Sequence, residues 1–187
     1  PCVDRAACRP YPANWPEFDV SFIGKCWDAF NQQCVEAVQS SRLRCDVLIR
    51  DSFYGDMERD DKAEAARQEA RFCDSLHRSR FVLAPRSRPS GVLRYRVYEA
   101  LSAGRIPVIL GDGAVMPMAE AIDWEEISVR VPEAEYASLP AYLDRWLGAH
   151  DYHSASLLAR AAYDAWLARD KWPEIAAWCV RRRLGLS

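Results

Sequence analysis

Residues 79–110 read SRFVLAPRSRPSGVLRYRVYEALSAGRIPVIL, and this stretch decides the fold. Residues 80–84 and 106–110 are short apolar runs with the length and content of buried strands. Residues 95–103, between them, read as a helix. Strand, helix, strand in this order is the unit of a parallel sheet, and the second run is apolar throughout, as strands covered on both faces are.

The same alternation continues on both sides. Residues 19–23 read as a short strand closed by Gly24, and residues 29–40 carry helical spacing at Phe30, Cys34, Ala37 and Val38. Residues 45–49 are a second apolar run, followed by a turn around Tyr54 and Gly55. The charged stretch 60–78 reads as a surface helix with Ala66, Ala70, Cys73 and Leu76 near one face. A fifth strand is expected at 127–131. From Leu139 onward the chain reads as helical, with Trp146, Trp166, Trp172 and Trp178 in core or inter-helix packing and Pro173 in the first turn of the last helix. The predicted fold class is α/β, a Rossmann-like parallel sheet with flanking helices and a helical C-terminus. Residues 1–18, with Pro1, Pro10, Pro12 and Pro16, form an extended leader, 19–148 the Rossmann-like domain, and 149–187 helices packing on it.

Composition narrows the function classes. With 187 residues, 50% of them hydrophobic and 28% charged, the chain is globular and long enough for one sizeable core. A net charge of -2 argues against non-specific binding to nucleic acid or anionic membranes, and no apolar run reaches the length of a membrane span. The seven cysteines contain no CxxC pair, so no metal site is expected. Cys2 and Cys8 are either a disulfide or reduced thiols. A chain of this length beginning at Pro1 is expected to be a complete processed product or a piece of a longer protein.

Arg80, Arg86, Arg88, Arg94 and Arg96 fall in one stretch without an acidic residue. In an open α/β sheet, ligands bind beyond the carboxyl ends of the strands, where a helix N-terminus offers free amides to an anion. A diphosphate is the natural guest. Pro89-Ser90-Gly91 supplies a turn in which Gly91 allows close backbone approach and Ser90 offers a hydroxyl. Glu99 follows Arg96 by three residues, so both point to one side of a helix. Two readings stand: an intrahelical ion pair, or separate tasks, Arg96 neutralising diphosphate and Glu99 accepting hydrogen bonds from ribose hydroxyls. Gly111-Asp112-Gly113 is not a dinucleotide fingerprint.

Ser79-Arg80-Phe81-Val82-Leu83-Ala84-Pro85-Arg86, Arg96-Val97-Tyr98-Glu99-Ala100-Leu101, Gly104-Arg105-Ile106-Pro107-Val108-Ile109 and Ile122-Asp123-Trp124 resemble, in this order, the motifs of the exostosin-type glycosyltransferases of family 47. Phe22-Ile23-Gly24 resembles that family's earlier strand and turn. The resemblance implies the C-terminal, donor-binding lobe of a two-lobed (GT-B) enzyme that inverts the sugar configuration, a UDP-sugar as donor, no required cofactor, and a glycan acceptor. It also implies a missing N-terminal lobe, and the Golgi lumen or a membrane association in a eukaryote, the cytoplasm otherwise. By this resemblance the nucleotide-sugar site comprises Gly24, Lys25, Arg86, Ser90, Gly91, Arg94, Arg96 and Glu99, with Arg96 and Glu99 on the family's donor-site arginine and glutamate. The chain departs from the pattern at Arg94, where a small hydroxyl residue is common, at Arg105, where cysteine is usual, and at Ser87, where glycine is frequent. An arginine often found in the helix after Gly24 is absent, and Lys25 is the substitute for its charge.

No catalytic base is visible. Asp112 and Asp123 read as a turn residue and a helix cap, and His77, His150 and His153 as surface histidines without a triad partner. Three functions remain: a glycosyltransferase, a nucleotide-sugar-binding module without activity, and an interaction domain docking through its Trp-rich helices.

Overall fold

Five parallel strands form one sheet in the computed structural model, which describes residues 16–50, 61–86 and 93–183. They are β1 (Phe18–Gly24), β2 (Cys45–Ile49), β3 (Ser79–Pro85), β4 (Ile106–Leu110) and β5 (Val129–Val131), in spatial order β2-β1-β3-β4-β5. The helices are α1 (Ala29–Gln39), α2 (Lys62–Arg78), α3 (Tyr95–Ser102), the single turn α4 (Trp124–Ile127), α5 (Leu139–Ala149), α6 (Tyr152–Ala162) and α7 (Trp172–Arg183). The step from β1 to β2 runs one way across the sheet, and every later step runs the other way. Right-handed crossovers therefore put α1 on one face and α2 and α3 on the opposite one. The order reverses between β1 and β3, so a crevice opens at their carboxyl ends.

β4 is buried at every position and β3 at all but Arg80, which is why their sequences do not alternate. Phe81 of β3 meets Trp146 of α5 edge-on at 5.7 Å and Tyr152 of α6 at 6.1 Å. The polar tips of both partners are satisfied: Trp146 Nε1 donates to the Glu125 carbonyl at 3.1 Å and the Tyr152 hydroxyl to the Arg80 carbonyl at 2.9 Å. Trp166 and Trp178 also pack edge-on, at 5.6 Å, whereas Trp172 is 64% exposed and corrects the expectation of core packing there.

Two further expectations shift. The stripe that α2 buries is Ala65, Phe72, Ser75 and Leu76, while Ala66 and Ala70 face solvent, because the ring of Phe72 decides which of two nearly equivalent faces turns inward. Ile127 belongs to α4, capped by the Asp123 carboxylate through the Glu125 amide at 3.1 Å, so the fifth strand starts only at Val129. The leader to residue 15, with Cys2 and Cys8, and the turn at Tyr54 and Gly55 lie outside the described residues. Burial pushes the Cys34 thiol up to about 12 and that of Cys45 to about 11, so neither is a thiolate at neutral pH. Among the described residues no helix is long and apolar enough to cross a membrane.

Gly104 ends α3. It adopts φ +64°, its amide bonds the Leu101 carbonyl at 2.9 Å, and the Arg105 amide bonds the Ala100 carbonyl at 2.8 Å. This is a left-handed helix stop that favours glycine. A Cβ here would lie 3.2 Å from the Ser156 carbonyl oxygen, whose own residue donates its hydroxyl to the Gly104 carbonyl at 2.6 Å. Gly104→Ala is expected to cost about 1–2 kcal/mol, read as a lower midpoint in thermal unfolding.

Candidate functional site

The crevice at the carboxyl ends of β1 and β3 gathers three arginines whose environments differ. Arg86 follows β3, and its amide bonds the Leu110 carbonyl of β4 at 2.7 Å. Its Nε donates to Glu133 Oε2 at 2.7 Å, its Nη1 lies 3.7 Å from Asp28 Oδ2, and its guanidinium stands 4.9 Å from the Phe30 ring. Asp28 caps α1 by accepting the Asn31 amide at 2.8 Å. Glu133 also accepts the Asp112 amide at 3.3 Å, and the Glu133 amide donates to Asp112 Oδ1 at 3.0 Å. The ends of β1, β3, β4 and β5 are thus tied by one network around Arg86, and Asp112 is a turn residue as its sequence context suggests. Sequence reading missed Asp28 and Glu133. Asp28 carries a legible signal, a carboxylate just before a helix, whereas Glu133 is 47 positions from Arg86 and carries none.

Arg94 stands one residue before α3 and reaches across to α1. Its Nη2 donates to Asn31 Oδ1 at 2.6 Å and its Nε to the Arg86 carbonyl at 3.0 Å. Burial holds its pKa below the ordinary guanidinium value, and repulsion from Arg96 adds to this. A narrow cleft lies beside it, with Arg86, Arg94, Val97, Gly111 and Glu133 among its walls.

Arg96, in the first turn of α3, lies against β1. Its carbon Cζ is 5.3 Å from the centre of the Phe22 ring and 5.1 Å from that of Phe72. Its Nη2 comes within 2.6 Å of the place where a Cβ on Gly24 would sit, so residue 24 must be glycine for the guanidinium to lie there. This close approach joins two sequence motifs 72 positions apart. Rings on a guanidinium restrict its rotamers and fix its charge in place.

Glu99 sits one turn further along α3, partly buried. Burial raises its carboxyl above the usual carboxylate range, and the charge of Arg96 opposes the shift. Among the described residues its carboxylate closes no ion pair with Arg96 and accepts no hydrogen bond. The ion-pair reading of this couple is not realised. Lys25, half-buried, stands 5.0 Å over the exposed Trp27 ring, and Ser90 and Gly91 lie outside the described residues. The structure therefore brings Gly24 and Arg96 together, and sets Arg86 and Arg94 on a cleft whose walls come from the ends of β3 and β4 and the start of α3.

Arg105, a departure from the expected motif, is nowhere near the crevice. It is fully buried at the opposite end of the sheet, where Nε donates to the Leu76 carbonyl at 3.0 Å and Nη2 to the His77 carbonyl at 2.7 Å, closing the end of α2. His150 likewise serves structure, its ring stacked on Trp146 at 4.5 Å with Nδ1 2.9 Å from the Trp146 carbonyl oxygen.

A parallel sheet with a basic, glycine-lined crevice at its order reversal is the frame in which the motifs of residues 79–109 sit. Residues 20–145 match the Exostosin GT47 domain. The chain belongs to the exostosin GT47 family. It is 37% identical over 68 residues to an exostosin-1 homolog of Caenorhabditis elegans, covering 36% of this chain and 17% of that protein. It is 36% identical over 81 residues to exostosin-1b of Danio rerio, covering 43% of this chain and 11% of that protein. A probable beta-1,4-xylosyltransferase of Arabidopsis thaliana, IRX10, is 48% identical over 48 residues, 26% of this chain and 12% of the plant protein. These matches span a small part of the relatives' own lengths, and the sheet is that of a Rossmann-like lobe of the exostosin fold class.

Proposed function

We propose that this exostosin chain is the donor lobe of an inverting glycosyltransferase, holding a UDP-sugar in the crevice between β1 and β3 for transfer to a glycan acceptor. The observation that carries the reading is the fit of the Arg96 guanidinium onto Gly24 at the switch point of the sheet. Arg96 meets the diphosphate, and the Glu99 carboxylate accepts hydrogen bonds from the ribose hydroxyls. As the glycosidic bond breaks, negative charge grows on the diphosphate, and fixed guanidinium groups stabilise it more in the transition state than in the ground state. That electrostatic work needs no cofactor. In a two-lobed enzyme the acceptor site is built largely by the first lobe.

The pH dependence of binding tests the Glu99 role. The ionised carboxylate can accept from both ribose hydroxyls and does so more strongly than the protonated acid, so affinity is highest above the folded pKa of Glu99 and falls as pH drops through it. Because burial raises that pKa, the loss begins at a higher pH than for an ordinary glutamate, whose value is 4.5. Uridine, which has no titrating phosphate, is the probe: its affinity is expected to fall on acidification in the wild type and to be low and flat in Glu99→Gln. Equal, pH-independent uridine binding in both proteins would remove Glu99 from the site. Transfer assays with added acceptors then separate an active enzyme from a nucleotide-sugar-binding module.

A further inference from the structure

We propose that the exposed rings of Trp27 and Tyr95 form an aromatic platform for the acceptor glycan on the rim of the crevice; this rests on the reading above, in which the crevice holds the donor. Trp27 comes shortly after Gly24, in the loop that joins β1 to α1, and is 56% exposed. Tyr95 opens α3, the helix that follows β3, and is 73% exposed. Both therefore stand at the carboxyl ends of the two strands that flank the order reversal. Their segments are tied together, since Arg94 Nη2 donates to Asn31 Oδ1 at 2.6 Å and so joins the residue before Tyr95 to the first turn of α1. Asp28, extended at φ -149° and ψ 170°, turns its carboxylate inward to cap α1 and to meet Arg86. Neighbours in an extended segment point opposite ways, so the Trp27 ring stands outward.

Large rings left in water at the mouth of a site mark a contact surface rather than a packing need. Trp27 is also restrained: the Lys25 ammonium stands 5.0 Å from its ring centre, and a cation on the electron-rich face limits the ring's motion. Pyranose rings suit such a plate. Their C–H groups carry partial positive charge and pack on the negative face of an aromatic ring, while their hydroxyls stay in water or bond the ring's polar tip. A protein partner fits less well, because the core of a protein interface is depleted of lysine and Lys25 sits directly against Trp27. A glycan lies across a few rings and leaves the neighbouring charges hydrated. The rim is also where an acceptor has to be held, since its hydroxyl must meet a donor whose diphosphate lies deeper, on Arg96. This lobe thus adds two stacking rings to an acceptor site built largely by the first.

Calorimetric titrations of the wild type, Trp27→Ala, Trp27→Phe and Tyr95→Ala with cellohexaose, xylohexaose and chitohexaose, each with and without UDP, test this. The wild type is expected to bind at least one of these oligosaccharides. Trp27→Ala is expected to lose about tenfold in that affinity, Tyr95→Ala less, and Trp27→Phe to keep part of it, all three retaining their affinity for UDP. Both positions are exposed, so the variants should unfold close to the wild-type midpoint. A wild type that binds none of the oligosaccharides, or alanine variants that bind them as the wild type does, overturns the platform. Loss of UDP affinity in Trp27→Ala with oligosaccharide binding kept means that the ring stacks on the base, which overturns the platform and upholds the nucleotide reading. Oligosaccharide binding that needs Trp27, in a protein that binds no UDP, upholds the platform and overturns the nucleotide reading.

Discussion

Arg105→Ala is expected to lower the stability of the domain by about 3–5 kcal/mol, the largest effect of any single substitution considered. The side chain is 0% exposed, and its donors bond the carbonyls of Leu76, His77 and Gly104 at 3.0, 2.7 and 3.4 Å. Alanine leaves those acceptors without their cation at the negative end of α2, and leaves a cavity where the longest buried side chain stood. A domain of this size has a total stability of only about 5–15 kcal/mol, so the loss takes a large share of it. Urea unfolding followed by tryptophan fluorescence measures it. A change below about 1 kcal/mol would mean that water or neighbouring groups take over the carbonyls. Nucleotide affinity of the folded variant should stay at the wild-type level, since Arg105 lies at the far end of the sheet.

Arg96→Met is expected to reduce UDP affinity by about thirty- to a hundred-fold, the loss of a charge-assisted contact worth roughly 2–3 kcal/mol. Methionine keeps an unbranched apolar stem against Phe22 and Phe72, so the packing on both rings survives while the charge goes. Glu99→Gln gives a complementary signature. The Glu99 carboxyl has a folded pKa above its unfolded value, so the proton is bound more tightly in the native state. Its contribution to stability is present below the unfolded pKa and is lost as pH rises through the folded one. At neutral pH the wild type therefore carries a desolvated carboxylate at a cost, and glutamine removes it. The variant should unfold at a higher temperature than the wild type at pH 7, lose that advantage in acid, and bind UDP more weakly. Gain of stability with loss of binding is the pattern of a group retained for function.

The central β-α-β unit was legible because its information is local. Apolar runs at 80–84 and 106–110 fall inside β3 and β4, and residues 95–103 differ from α3 only at its last residue. What lies between elements was less so. Whether α2 buries Ala66 and Ala70 or Ala65 and Phe72 depends on what the sheet beneath it offers, and alternation at Ile127, Val129 and Val131 reads as strand although the Asp123 cap winds its first residue into a helical turn. In the site, Arg96 and Glu99 were marked by motif, and their near-neighbour spacing left an ion pair as one of two readings. The pair does not form because the rings of Phe22 and Phe72 hold the guanidinium over Gly24. The partners of Arg86 and Arg94 were invisible in sequence, since Asn31, 63 positions from Arg94, reads as an ordinary helix residue until the fold places it. Arg105 shows the converse: marked in sequence only as a departure within a motif, it is a staple for α2.

The central claim is that the crevice between β1 and β3 holds a nucleoside diphosphate through Arg96 and Glu99. Calorimetric titration of UDP into the wild type, Arg96→Met and Glu99→Gln, each verified as folded by its unfolding transition, tests it most directly. The account predicts one saturable site in the wild type, weakened by both substitutions. Absence of binding in the wild type, or the same affinity in all three proteins, would contradict it.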